Sequence, residues 1–214
     1  MKREPPSYYP IFLNVAGKKC VIVGGGQVAL RKAEALLDRG AVVQAISPDF
    51  CSELDRLAEN GKITSLQRNY RSGDLHGAFI AIAATDDRGV NLAVAKHARE
   101  TAVPVNVVDD PDNSDFIVPS CIRRGDVTIA ISTAGRSPAL ARKIRSRLEK
   151  ELGEEYAALA MLIDEVRSEI KEKGIKFSGD DWQKALDLDT MLDLLKQGHR
   201  EKARAVLLEN LKLS

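Results

Sequence analysis

Cys20–Glu34, CVIVGGGQVALRKAE, runs an apolar strand pattern into three glycines and then directly into a helical pattern. No other segment restricts the possible folds as much. The spacing Gly24-x-Gly26-x-x-Ala29 fits the dinucleotide-binding pattern G-x-G-x-x-G/A. Gly24 permits the sharp turn after the strand. Gly26 has no Cβ, so a pyrophosphate can approach the backbone, and Ala29 lets the helix lie close to the strand. The N–H groups of Gln27 and Val28 fall in the first helical turn, where free donors and the helix dipole favour a phosphate. A bare structural turn uses glycines too. The position between a strand and a helix near the N-terminus favours nucleotide binding.

Strand and helix patterns alternate through the first half. Strands are expected at Lys19–Val23, Val42–Ser47, Ile63–Gln67, Phe79–Ala83 and Val103–Val108, with Ile11–Val15 as an edge strand or lead-in. Helices are expected at Val28–Asp38, Phe50–Asn60 and Arg88–Thr101, with a polar loop at Arg68–Leu75. This alternation predicts an α/β, Rossmann-like, doubly wound parallel sheet of order 3-2-1-4-5. Ligands of such sheets lie beyond the strand C-termini at the switch point. Three loops therefore face the cofactor: Gly24–Val28, Ala84–Asp87 with Thr85, and Asp109–Pro111. Ser47-Pro48-Asp49 is placed to reach a ribose. Asp49 either accepts a ribose hydroxyl or caps the next helix. No arginine follows at once to take a 2′-phosphate, so NAD is expected rather than NADP.

The second half is not another nucleotide unit. Short strands are expected at Phe116–Ser120 and Val127–Ser132, joined through Ile122–Asp126. A helix is then expected over Ala139–Glu151. Ser137 suits its N-cap and Pro138 its first turn, which makes an anion site beside Arg136. Lys143–Arg147 reads more simply as a solvated face. Helical spacing resumes from Glu154 with Tyr156, Leu159, Ile163, Val166 and Ile170, and continues over Asp180–Lys196 and His199–Leu211. The expected division is a nucleotide domain over 1–112, a dimerisation region over 113–150 and a helical domain over 151–214. A strand pair this small rarely stands alone, so a homodimer is expected.

The net charge of +1 gives no global reason to expect nucleic acid or membrane as a partner. Three cysteines without metal-ligand spacing cannot all pair, which fits a cytoplasmic protein. Met1–Pro10 is polar and proline-rich, so no signal peptide is expected. His76, His97 and His199 lie far apart in sequence, and no preformed metal site is expected.

Tyr9–Leu13, Val21–Ala33, Ile82–Asn91, Asn106–Ser120 and Thr133–Ala141 together carry a family likeness. The chain resembles the siroheme-synthase N-terminal family, the precorrin-2 dehydrogenases, some members of which are also sirohydrochlorin ferrochelatases. Asn106–Asp109 ahead of Phe116–Ser120 is the most specific part. The resemblance covers about residues 8–150 and reaches the helical tail only loosely. It implies NAD-dependent oxidation of precorrin-2 to sirohydrochlorin in siroheme biosynthesis. Some members also insert ferrous iron, and the bifunctional version is the nearest alternative. An NAD-sensing regulatory module is the alternative of a different class. The resemblance also implies an interwoven dimer, cofactor contacts at Gln27, Val28, Pro48 and Asp49, and an essential aspartate at Asp109. Thr133 stands where some relatives carry a phosphorylated serine. The methyltransferase half of the fused enzyme is not expected in this chain. Arg136 and Ser137 suit the substrate's carboxylates. Arg123 and Arg124 either add to them or decorate a turn.

Overall fold

A strand covered on both faces has no place for polar alternation, and the continuous apolar runs accordingly form the centre of a parallel sheet. In the computed structural model, which describes residues 7–213, β1 (Lys19–Val23) and β4 (Ile80–Ala83) lie side by side. β2 (Val42–Ser47) and β3 (Thr64–Gln67) extend the sheet on one side, and β5 (Val105–Val107) on the other. The order is β3-β2-β1-β4-β5, all parallel. The Rossmann-like expectation is met, and the switch point falls between β1 and β4. Residues 1–6 of the polar start read as lacking a signal peptide lie outside the described residues.

Two apolar layers cover the sheet. α1 (Gln27–Leu37) and α2 (Ser52–Glu59) bury Ala29, Leu30, Ala33 and Leu54 against Cys20, Ile22, Val43 and Ala45 on one face. α3 (Arg88–Glu100) buries Val94, Ala95 and Ala98 on the other, with Leu75, Ala78 and Tyr70 beside it. Those last three come from residues 68–79, where β3 returns to β4 through turns and no helix. Arg68 and Asp74 brace this segment with two hydrogen bonds of 2.9 and 2.8 Å, and the Arg71 N–H adds a third at 2.7 Å.

The chain divides into two compact units, Met1–Val118 and Pro119–Ser214. The boundary thus falls after residue 118, where the sequence places it after 112. Ser114 and Asp115 account for the difference. The Ser114 hydroxyl accepts from Val107 N–H and the Asp115 carboxylate from Val105 N–H, while Asn106 donates to the Phe116 carbonyl. These groups line the free edge of β5 and leave Phe116–Pro119 outside any strand. The strand expected at Phe116–Ser120 is instead β6, Ser120–Arg124, paired antiparallel with β7, Val127–Ile131, across a Gly125-Asp126 turn. Ile11–Val15 forms no strand, and Ile11 and Phe12 stand mostly exposed.

In the second unit α4 (Pro138–Leu148) packs on the hairpin through Ala141. α5 (Glu155–Glu172), α6 (Gly179–Ala185), α7 (Leu188–Lys196) and α8 (Arg200–Asn210) share a second core of Leu162, Val166, Met191 and Leu207. The single helix expected over Asp180–Lys196 is two. Asp187 caps α7 by accepting from Thr190 N–H, which breaks the run there. Among the described residues no helix is long and apolar enough to cross a membrane.

Candidate functional site

Three consecutive glycines end β1, and each stands there for a different reason. Gly24 has φ +136°, and a Cβ on it would lie 2.3 Å from the Ala84 carbonyl oxygen. A Cβ on Gly25 would lie 1.9 Å from the Asp49 carbonyl oxygen. Backbone bonds draw these neighbours in: Ala84 N–H donates to Val23, Gly24 N–H to Ile46, and Cys51 N–H to Gly25. Gly26 is the exception. A Cβ there would meet nothing within 4 Å, so the space over it is open to a ligand. Ala29, fully buried, seats α1 on the sheet. The motif assigns the roles of Gly24, Gly26 and Ala29 from spacing alone. The demand at Gly25 appears only once the β2 loop is seen pressed against it.

Around Gly26 lies a cleft of about 450 Å³. Gly24, Gly26, Gln27, Val28, Pro48, Asp49 and Thr85, all singled out from the sequence, line it together. Two helices begin at its wall with different electrostatics. The N-cap of α1 is Gly26, with no side-chain hydrogen bond, so its first-turn N–H groups are free for an anion. The N-cap of α3 is Asp87, whose carboxylate accepts from Gly89 and Val90 N–H and closes that end. Of the two helix starts, only that of α1 is left open to an anion. The cleft lining includes the carboxylates Asp49, Asp86 and Asp87, and no lysine, arginine or histidine. The residues fit a dinucleotide whose pyrophosphate is held by backbone donors.

Asp49 lies exposed ahead of α2, whose N-cap is Cys51. It is therefore not the cap that the sequence leaves open as an alternative. Gln27 turns its amide toward Glu53, at 3.4 Å, which leaves its backbone N–H, in the uncapped first turn, as its free donor. Thr85 is fixed by a residue the motif did not bring out. Buried Asn91 accepts from the Thr85 hydroxyl at 2.8 Å and donates to the Thr85 carbonyl at 2.9 Å. Asn69 and Tyr70, from the segment read as a polar loop, also line the cleft.

The third expected loop is not part of this lining: neither Asp109 nor Pro111 reaches it. Asp109 sits at the end of β5 with φ +60°, a left-handed conformation that aspartate tolerates better than most residues, and its side chain is exposed. Asp110 is committed elsewhere: its carboxylate accepts from the backbone N–H and side-chain amide of Asn113, closing the 3-10 turn Pro111–Asn113. Of the two adjacent aspartates, Asp109 is the one presented outward. Lys32 on α1 feels Asp109. Burial lowers the pKa of its ammonium, Arg31 adds to the lowering, and the Asp109 carboxylate opposes both. Val108 and Phe116 pack on the α1 side of the sheet, which brings the end of β5 to that face.

Arg136 and Ser137 belong to the second unit. Ser137 caps α4 by accepting from Leu140 N–H, and Thr133 accepts from Ser137 N–H. Arg136 is exposed one residue earlier. Arg123 and Arg124 lie in β6 and not in a turn. Arg124 donates to the Leu152 carbonyl at 2.8 Å and pairs with Glu154, which occupies it structurally. Among the described residues no group of three or more His, Cys, Asp or Glu side chains gathers as metal ligands would.

A family model described as "Putative NAD(P)-binding" matches residues 11–120, and one described as "Sirohaem biosynthesis protein central" matches residues 124–151. The siroheme synthase of Methylococcus capsulatus is 41% identical over 204 residues, which make up 94% of this chain and 43% of that protein. The siroheme synthase of Nitrosococcus oceani is 39% identical over 202 residues, again 94% of this chain and 43% of that protein. The chain thus spans less than half the length of these relatives. Among solved structures, SirC, a precorrin-2 dehydrogenase, superposes with a TM-score of 0.70 at 23% identity. The match covers 97% of this chain and 100% of SirC, and it shows a shared fold.

Proposed function

Because the chain belongs to the NAD(P)-binding, siroheme-synthase family, we propose that it is an NAD-dependent dehydrogenase that oxidises precorrin-2 to sirohydrochlorin. The observation that carries this reading is the uncapped start of α1 under an open Gly26, in a chain that also has the sirohaem central segment. Bound NAD supplies the hydride acceptor. The residues of the chain do the rest. Backbone N–H groups of Gln27 and Val28 hold the pyrophosphate, Asp49 accepts from a ribose hydroxyl, and Thr85, fixed by Asn91, limits the cofactor on the β4 side. The absence of a cation from the cleft lining supports NAD over NADP.

Oxidation of the macrocycle releases a proton along with the hydride. Asp109, exposed at the end of β5, is proposed to accept that proton or to orient the ring nitrogens. Arg136 and the α4 N-terminus at Ser137 are proposed to hold substrate carboxylates. Residues 113–150 are proposed to form a dimerisation region and 151–214 a helical domain, in a cytoplasmic homodimer. Exposed Val118, Leu140 and Ile144 in this stretch supply apolar surface for a second copy. The test is direct. Purified protein is mixed with precorrin-2 and NAD, and the visible spectrum is followed. Sirohydrochlorin formation that depends on NAD supports the reading, and an unchanged spectrum with bound NAD overturns it. Ferrous ion added afterwards, as a substrate, reports whether the chain also inserts iron.

A further inference from the structure

The lining of the cleft divides by chemistry. Loop backbone and carboxylates make one part, while Val23, Ile46, Tyr70 and Val90 make an apolar part. All four of these belong to the layer on the α3 face of the sheet. Val23 and Ile46 are core residues of β1 and β2, and Val90 stands in the first turn of α3. Tyr70 alone comes from a segment without secondary structure, so something must hold its ring. Its hydroxyl lies 3.0 Å from His97 Nδ1 on α3, and the two rings lie 5.7 Å apart. Burial pushes the Tyr70 phenol up to about 12, so the hydroxyl keeps its proton at any working pH. The Arg68–Asp74 pair fixes the segment on which the residue rides.

We propose that Tyr70 is the wall against which the adenine of the dinucleotide stacks, with the Asn69 amide placed to hydrogen bond the base edge. His97 is its positioning residue. The proposal rests on the reading of the cleft as an NAD site. A flat aromatic base suits a slot lined by aliphatic side chains and one tethered ring. Tyr70 lines the cleft from the α3 face of the sheet, whereas Asp109 lies outside that lining. The adenine half of the cofactor is thereby assigned to the part of the cleft that Tyr70 and Val90 line.

The experiment is calorimetric titration of NAD, ADP-ribose and nicotinamide mononucleotide into the wild-type chain and its variants, each checked for folding by circular dichroism. Tyr70→Ala should weaken NAD and ADP-ribose by roughly 5- to 150-fold, the range for losing one base–aromatic stack. Nicotinamide mononucleotide should be unaffected. Tyr70→Leu keeps apolar volume on the sheet and guards against an Ala variant that does not fold. It should show the same selective loss. Tyr70→Phe should stay within about threefold of wild type, because the ring remains. Wild-type NAD affinity in folded Tyr70→Leu overturns the proposal, as does an equal loss for nicotinamide mononucleotide. Gly26→Asp separates the two levels of the argument. If that variant also binds NAD normally, the cleft itself has been misread.

Discussion

Gly25 and Gly26 are adjacent, yet substitution by alanine should damage different properties. At Gly25 the added Cβ would sit 1.9 Å from the Asp49 carbonyl oxygen, while ordinary contact begins at 3.4 Å, so the β2 loop must retreat by about 1.5 Å (3.4 less 1.9). That movement carries the Cys51 N–H away from the Gly25 carbonyl, now 2.8 Å distant, and breaks the bond. Overpacking costs about 1–3 kcal/mol and the lost hydrogen bond about 1, together about 2–4 kcal/mol. In a chain of this size that lowers Tm by roughly 4–16 °C. At Gly26 the new methyl meets nothing, and the residue's φ of −88° suits any side chain. Stability should hold, or rise by up to about 1 kcal/mol as the unfolded chain loses freedom. NAD affinity should instead fall at least about tenfold, because the methyl occupies the approach of the pyrophosphate to the first-turn donors. Urea denaturation gives the first quantity and calorimetry the second. Equal destabilisation by both variants, or wild-type NAD affinity in Gly26→Ala, would refute the assignment of one glycine to packing and the other to the ligand.

Four further outcomes are expected. Dehydrogenase kcat/KM should favour NAD over NADP by at least about tenfold, since no cation lines the cleft to receive a 2′-phosphate; equal use of NADP counts against it. Asp109→Ala should lower turnover by about 10²–10⁴-fold with NAD binding retained, whereas Asp110→Ala should mainly cost stability, about 1 kcal/mol from the lost cap. Asp109→Asn decides the role: recovery of most of the rate makes Asp109 an orienter and not the base. Sedimentation should give about twice 23.4 kDa, and Leu140→Asp should shift it toward the monomer; a fully active wild-type monomer would reject the dimer. Arg68's hydrogen bonds hold the Asp74 carboxyl below its ordinary range, so the stability it adds is present above that range and lost as pH falls through the depressed value. Urea midpoints across the acid range should therefore lose part of their pH dependence in Asp74→Asn.

The sheet and its ligand loop could be read from the chain because both rest on local signals. Buried parallel strands are continuous apolar runs, and the strand–glycine–helix junction repeats a steric requirement. The details that escaped depend on which side chain meets which backbone or ring, and no spacing pattern announces that. Phe116-Ile117-Val118 has the composition of a strand, but Ser114 and Asp115 bind its lead-in to β5, and pairing starts only at Ser120. Asn91 looks like any polar residue of a helix until it is found buried against Thr85. Tyr70, one aromatic in a polar stretch, acquires meaning from His97, which is 27 residues away. The separation of Asp109 from Asp110 depends on a left-handed backbone and a bond to Asn113, and adjacent identical residues cannot announce either one.

The return from β3 to β4 through residues 68–79 has a consequence for motion. Every other crossover in the sheet is a helix, with its own ladder of amide bonds. This one lies over Val21, Val23 and Ile46 and is held by side chains instead: the Arg68–Asp74 pair, Tyr70 on His97, and Lys19 on the His76 carbonyl. Its amides should exchange with solvent through local opening, well before those of β1 beneath it. A nucleotide seated against Tyr70 would bind only the closed form, so cofactor concentration would set how often this patch breathes. The one crossover without a helix would then also act as a gauge of cofactor supply, with hydrogen exchange and proteolytic nicking slowing together as NAD rises.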